Sequence, residues 1–184
     1  MAISAGLIPQ SEPNPKSFTL VYGHFMATDL NTLLTGGGIL SKFEGTSRKQ
    51  VIHALAQELS HATKIPTRVI EASVMERERL GSTGVGEGVA IPHARIAGIK
   101  APIGALMTLK NGIDFEAIDD RPCDLIFMLL APTDSGADHL RALAQVSRVF
   151  RQVDVREKLR AAETNAEVEA VVLTSPTPAA VNAE

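Results

Sequence analysis

Six consecutive apolar residues, Leu125 to Leu130 (LIFMLL), constrain this chain more than anything else in it. A strand with no polar alternation has no face for solvent, so it belongs at the centre of a sheet covered on both sides. The cover has to come from segments of helical period. Ser47 to Ala62 carries Val51, Leu55 and Leu59 at four-residue intervals with Lys, Gln and Glu between them. A second helix is expected from Thr67 to Leu80, closed by Gly81 as a left-handed C′ residue. Short β-type runs follow at Val89 to Ile91 and Ile103 to Leu109, ahead of the apolar strand. Ser135 is the expected N-cap of a helix with Leu140, Leu143, Val146 and Phe150 on its inner side. Asp154 and the box Thr164-x-x-Glu167 open two more. This order of elements reads as α/β, a mixed β-sheet flanked by helices.

The 184 residues are one domain's worth of sequence, with 45% apolar and 21% charged residues. Aromatic residues make up 4% and Trp is absent, so the core must be aliphatic and stacking platforms for single-stranded nucleic acid are not expected. A net charge of −3 offers nothing to a phosphate backbone or an anionic membrane surface. Cys123 is the only cysteine, which suits a reducing, cytoplasmic setting and rules out an internal disulfide. The first thirty residues lack the basic and apolar regions of a secretory signal, and no stretch is long and apolar enough to span a membrane. Residues 1–25, with three prolines and neither period, are expected to be an irregular N-terminal extension. The folded domain is expected over 26–173, followed by a flexible C-terminal tail over 174–184.

The segment Arg77 to Arg95, RERLGSTGVGEGVAIPHAR, is the richest in chemistry. Gly81, Gly84, Gly86 and Gly88 fall within eight residues, a density that lets backbone amides approach an anion closely. Three familiar motifs fail on it. A Walker A loop through Gly81 and Gly86 would need Lys where Glu87 stands. A dinucleotide fingerprint through Gly84 and Gly86 would need a small residue at Val89 and a strand ahead of the glycines. A hydrolase elbow would need G-x-S-x-G, but Ser82 follows Gly81 directly. A tight turn is the plain reading of the glycines alone. His93 shifts the balance, because it follows Pro92 and the run Val89 to Ile91 and is therefore presented from a stiff backbone at a strand end. A neutral imidazole is a competent nucleophile at pH 7 and can accept a phosphoryl group. Ser82, Thr83 and the amides of the Gly84 loop are candidate donors to its oxygens, and Arg77 is a candidate cation. Arg77 would also be favourable simply as a helix-end charge. Arg79 and Arg95 read as solvated surface. His53 and His61, eight apart, share no metal-binding face, and no metal is expected.

The run LGSTGVGEGVAIPHARI, with DFEAIDDRPCDLIFMLLAP and DHLRALAQVSRVF, resembles the enzyme IIA domains of the fructose/mannitol type in the bacterial phosphotransferase system, most closely their nitrogen-related form. The resemblance spans Met26 to Leu173. It implies a mixed sheet flanked by helices, His93 as the residue phosphorylated by a histidine phosphocarrier protein, and Arg77 and His139 at its side. It implies no cofactor. The downstream partners it implies are regulatory targets such as sensor kinases or potassium-transport proteins, with a sugar-transport enzyme IIA donating to a IIB domain as the alternative. An anion- or protein-binding module without transfer chemistry is the alternative of another class. Two departures stand out: Glu87 where Asn is frequent, and Ala94-Arg95 where Gly-Lys is often seen. A phosphocysteine role for Cys123 is not expected.

Overall fold

The computed structural model describes residues 30–134 and 136–175. The proposed extension 1–25, most of the proposed tail, and the expected N-cap Ser135 lie outside the described residues. The described residues start with a short helix α1 (Leu30–Leu34), strand β1 (Ile39–Phe43) and two longer helices, α2 (Arg48–Thr63) and α3 (Thr67–Arg79). Three short strands follow: β2 (Gly84–Gly86), β3 (Val89–Ala90) and β4 (His93–Ile96). Two long strands, β5 (Ile103–Ile113) and β6 (Cys123–Pro132), lead into α4 (Gly136–Phe150), α5 (Val153–Ala161) and α6 (Asn165–Thr174).

Ser47 caps α2 as expected, its hydroxyl accepting from the Gln50 amide at 3.3 Å. The box at α6 is complete. Thr164 accepts from the Glu167 amide at 3.2 Å, and the Glu167 carboxylate accepts from the Thr164 amide at 3.0 Å. Helix α6 runs through Thr174, one residue into the expected tail. The end of α3 differs from expectation. The amides of Leu80 and Gly81 donate three residues back, to Arg77 and Glu78, so the helix closes in a tightened last turn; Gly81 has φ +153° and not the left-handed value near +57°.

Among the described residues the sheet has six strands and is mixed, as the sequence led us to expect. Its order is β1-β5-β6-β3-β2, with β4 also paired to β6. Strand β6 runs antiparallel to β5 and parallel to both β3 and β4, which lie end to end along its other edge. The break between them falls at Ile91-Pro92. Pro92 has no N–H for a ladder, but its carbonyl accepts from the Leu129 amide at 2.9 Å and keeps β6 in register with the histidine that follows.

The apolar run faces both ways. Ile126, Met128 and Leu130 join the core under α2 and α3, with Val51, Leu55, Leu59, Ile70 and Val74. Leu125, Phe127 and Leu129 join the core under α1, α4, α5 and α6, with Val146, Phe150, Leu159 and Val172. Every residue of that run is fully buried, as a central strand requires. The inner face of α4 differs from the expected one. His139, Ala142, Val146, Val149 and Phe150 are buried, whereas Leu140 is 65% exposed. The ridge starts at position 139, so Leu140 is turned roughly 100° away from it. No helix among the described residues is long and apolar enough to cross a membrane.

Candidate active site

Strand β4 carries two side chains to one face of the sheet, His93 and Arg95, because residues two apart on a strand point the same way. Helix α3 brings Arg77 from its last turn, and α4 brings His139 from its first. Together with Ser73, Glu76, Leu80 and Ala94 these four line an open cleft of about 410 Å³. The rings of His93 and His139 have centroids 5.3 Å apart and are inclined at 56°.

Hydrogen bonding assigns the proton on each ring. His93 Nδ1 lies 2.8 Å from the carbonyl oxygen of Ile91, which can only accept, so Nδ1 carries the proton. Arg77 donates from Nε to His93 Nε2 at 3.2 Å and from Nη1 to the Gly81 carbonyl at 3.0 Å. A guanidinium cannot accept, so Nε2 of His93 holds a lone pair. On His139 the assignment is reversed: Nδ1 accepts from Arg95 Nε at 3.2 Å. Nε2 of His139 is buried and has no partner among the described residues. An unmet donor of this kind costs about 1–3 kcal/mol, and such groups persist where a function uses them.

Both imidazoles are held below the ordinary histidine pKa. For His93 burial is the main cause, opposed by the Ile91 carbonyl and reinforced by the Arg77 charge. For His139 burial again leads, followed by the His93, Arg95 and Arg77 charges. At pH 7 the cleft therefore holds two neutral rings and two guanidiniums, one ring with a nucleophilic lone pair that Arg77 covers and the other with an unmet N–H. Such a set can bind an anionic, electrophilic phosphorus and attack it.

The structure brings together His93, Arg77 and His139, but Ser82, Thr83 and Gly84 do not line the cleft. Ser82 donates its hydroxyl to the Phe115 carbonyl and accepts from the Gly84 amide at 3.0 Å. Thr83 is buried, with its hydroxyl and its amide donating to the Glu78 carboxylate at 2.6 and 3.1 Å. These groups hold the loop together. Gly84 owes its residue type to close packing, since a Cβ there would lie 2.7 Å from both Cα and Cβ of Ala117. Gly84→Ala is accordingly expected to destabilise the fold by about 1–3 kcal/mol through overpacking, measured by urea unfolding. A neutral outcome would mean that the loop has room to shift.

Glu87 sits at the tip of the β2–β3 hairpin between Gly86 and Gly88, all three at positive φ, the backbone region that glycine and asparagine favour. Its carboxylate lies 3.4 Å from Arg156 and 3.8 Å from Arg121, outside the cleft, so its charge is balanced away from His93. His53 lies on the surface, paired with Glu71 at 2.8 Å, and His61 is exposed. Cys123 is buried, and burial pushes its thiol up to about 12, so it holds its proton at neutral pH.

Sequence reasoning missed two functional neighbours. Arg95 is exposed, as the sequence suggests, and its guanidinium also reaches His139. Glu78 lay unremarked between Arg77 and Arg79, yet it is buried and anchors the loop. The two-residue spacing of His93 and Arg95 on a strand could have flagged Arg95. Glu78 follows Ile70 and Val74 at four-residue intervals on the buried face of α3, a spacing that could have flagged it too.

Residues 32–174 match the family described as "Phosphoenolpyruvate-dependent sugar phosphotransferase system, EIIA 2". A nitrogen regulatory protein of Bradyrhizobium diazoefficiens is 38% identical over 151 residues, covering 82% of this chain and 99% of that protein. A fructose-specific EIIA component from Haloferax volcanii is 44% identical over 100 residues, 54% of this chain and 65% of that protein. The crystal structure of the nitrogen regulatory protein IIA-Ntr from Neisseria meningitidis is similar with a TM-score of 0.71 at 33% identity, over 77% of this chain and 97% of that one.

Proposed function

Because the chain belongs to the EIIA 2 family of the phosphoenolpyruvate-dependent sugar phosphotransferase system, we propose that it is a cytoplasmic phosphocarrier of the regulatory, nitrogen-related kind, phosphorylated on Nε2 of His93 by a histidine phosphocarrier protein. One observation carries the assignment: Nδ1 of His93 is committed to the Ile91 carbonyl, which leaves the Nε2 lone pair facing Arg77. In the transfer, the bond between phosphorus and the donor's imidazole breaks and its electron pair returns to that ring, while Nε2 of His93 forms the new bond. Nδ1 keeps its proton, and the Ile91 carbonyl supports the positive charge that the ring acquires. Arg77 releases Nε2 as phosphorus arrives and turns its donors to the equatorial oxygens. His139 offers its unmet N–H to the same oxygens and accepts no phosphoryl group itself. The phosphorylated and free forms then bind regulatory proteins such as sensor kinases or potassium-transport proteins differently. Support for the regulatory reading is the match to a nitrogen regulatory protein along 99% of its length. The fructose-specific relative keeps a second reading in view, in which the phosphoryl group passes to a IIB domain.

The test is labelling from phosphoenolpyruvate through a complete phosphocarrier system. Acid-labile, alkali-stable label on the peptide containing His93 is the expected result; no label, or acid-stable label, overturns the assignment. Arg77→Lys should slow labelling and Arg77→Ala should slow it further, by about a hundredfold for a lost preorganised cation. Equal rates in all three would reduce Arg77 to a helix-end charge. Rapid onward transfer to a fructose-type IIB domain would favour the transport reading.

A further inference from the structure

We propose that Arg95 is a positioning residue for the transfer: its bond to Nδ1 of His139 confines that ring's proton to Nε2 and so makes His139 an obligate hydrogen-bond donor toward the group carried by His93. This inference rests on His93 as the phosphoacceptor. Three observations on the resting protein support it. A guanidinium has donors only, so the 3.2 Å contact from Arg95 Nε requires a lone pair on Nδ1, and a neutral imidazole has just one N–H to place elsewhere. That N–H is on Nε2, in a ring only 7% exposed, and it has no partner among the described residues. The ring lies beside His93, centroids 5.3 Å apart, where an added phosphoryl oxygen is the acceptor it lacks.

The local structure explains how Arg95 reaches its target. It leaves β4 on the same side as His93, two residues on, and crosses to the first turn of α4. Gly136 opens that turn, and a Cβ there would lie 3.7 Å from Arg95 Nη2, so the guanidinium rests against a helix start bare of side chain. The two arginines thus impose opposite states on the two histidines. Arg77 touches Nε2 of His93 and requires a lone pair there; Arg95 touches Nδ1 of His139 and drives the proton to Nε2. The lowered pKa of both rings agrees with this, since a charged imidazolium could not accept from either arginine.

Imidazole nitrogen resonances read the state directly, without any phosphoryl donor. In the wild type, His139 should show a pyridine-type Nδ1 and a pyrrole-type Nε2. Arg95→Met keeps most of the stem and removes every donor. Its two His139 resonances should move toward each other as the second tautomer gains population, and labelling of His93 should slow by about threefold to tenfold, less than for loss of a whole donor. Arg95→Lys, whose ammonium also only donates, should restore much of both. A protonated Nδ1 in the wild type overturns the proposal, as do unchanged His139 resonances in Arg95→Met. Slower labelling with unchanged resonances would mean that Arg95 acts on the phosphoryl group directly. If wild-type protein takes no label at all, the reading of His93 fails, while the resonances still decide whether Arg95 sets the tautomer.

Discussion

His93→Ala is expected to take up no label above background under conditions in which the wild type is fully phosphorylated, because the other imidazole lone pair in the cleft, on Nδ1 of His139, belongs to a buried ring and is held by Arg95. Label persisting in His93→Ala would move the acceptor elsewhere, with His139 the first to examine. The same chemistry sets the pH dependence. Only the neutral ring attacks, and burial holds the pKa of His93 below the ordinary value near 6.5. The acid limb of the labelling rate should therefore fall below that value. A limb at or above it would contradict the buried, Arg77-facing setting. Stability follows with a definite sign. The unfolded chain takes up protons at His93 and His139 more readily than the folded one, so their contribution is complete above about pH 6.5 and is lost as pH falls through the lower folded values. Melting curves across this range should show it.

Glu78→Ala is expected to lower stability by about 3–5 kcal/mol, the usual result of removing one partner from a buried, paired charge. Its carboxylate satisfies the amide and hydroxyl of Thr83 and lies 3.7 Å from Arg48, whose own guanidinium stacks 5.4 Å from the Phe115 ring centre and pairs with Glu116 at 3.3 Å. Alanine leaves two buried donors unmatched and removes one of the two carboxylates beside Arg48. For a domain of this size the melting temperature should fall by roughly 10 °C. Glu78→Gln keeps an acceptor oxygen and should lose clearly less. A drop under about 1 kcal/mol in the alanine variant would show that water or a shifted loop replaces the carboxylate. The loop also joins Arg77 to the hairpin ahead of His93, so labelling should slow in the same variant.

The fold was legible where one residue pattern dominates its neighbourhood. LIFMLL announced a central strand, Val51-Leu55-Leu59 a helix, and Thr164 with Glu167 a helix start; each stands in the structure. Elements with weak local signal were not read. Strand β1, ILSKF, is an edge strand of uniformly partial burial, so it lacks the alternation that betrays a half-buried strand. Helix α1 is five residues long, held by Leu30 and Leu33 and too short to show a period. At the site, the pattern around the glycines and Pro92 singled out His93, but it suggested that the glycine loop feeds donors to a ligand. Those donors are spent on Phe115, Glu78 and the loop itself. Which partner a hydroxyl finds depends on contacts thirty residues away, as between Ser82 and Phe115, and one-dimensional spacing carries no information about them.

Strand β6 connects both histidines to the least exchangeable part of the protein. Leu129 binds the Pro92 carbonyl and pairs with His93, and the chain runs from Pro132 into the helix whose first turn holds His139. Separating the two rings would require dismantling the strand that both cores share, a step equivalent to global unfolding. Arg77 is attached differently, at the last turn of a helix that packs on one face only. Partial openings that release α3 or the outer helices α1 and α6 should leave the histidine pair assembled and remove at most the arginine. Amide exchange should accordingly be slowest at Leu129 and its neighbours on β6, and phosphoryl acceptance should survive, slowed, in any state in which those amides remain protected.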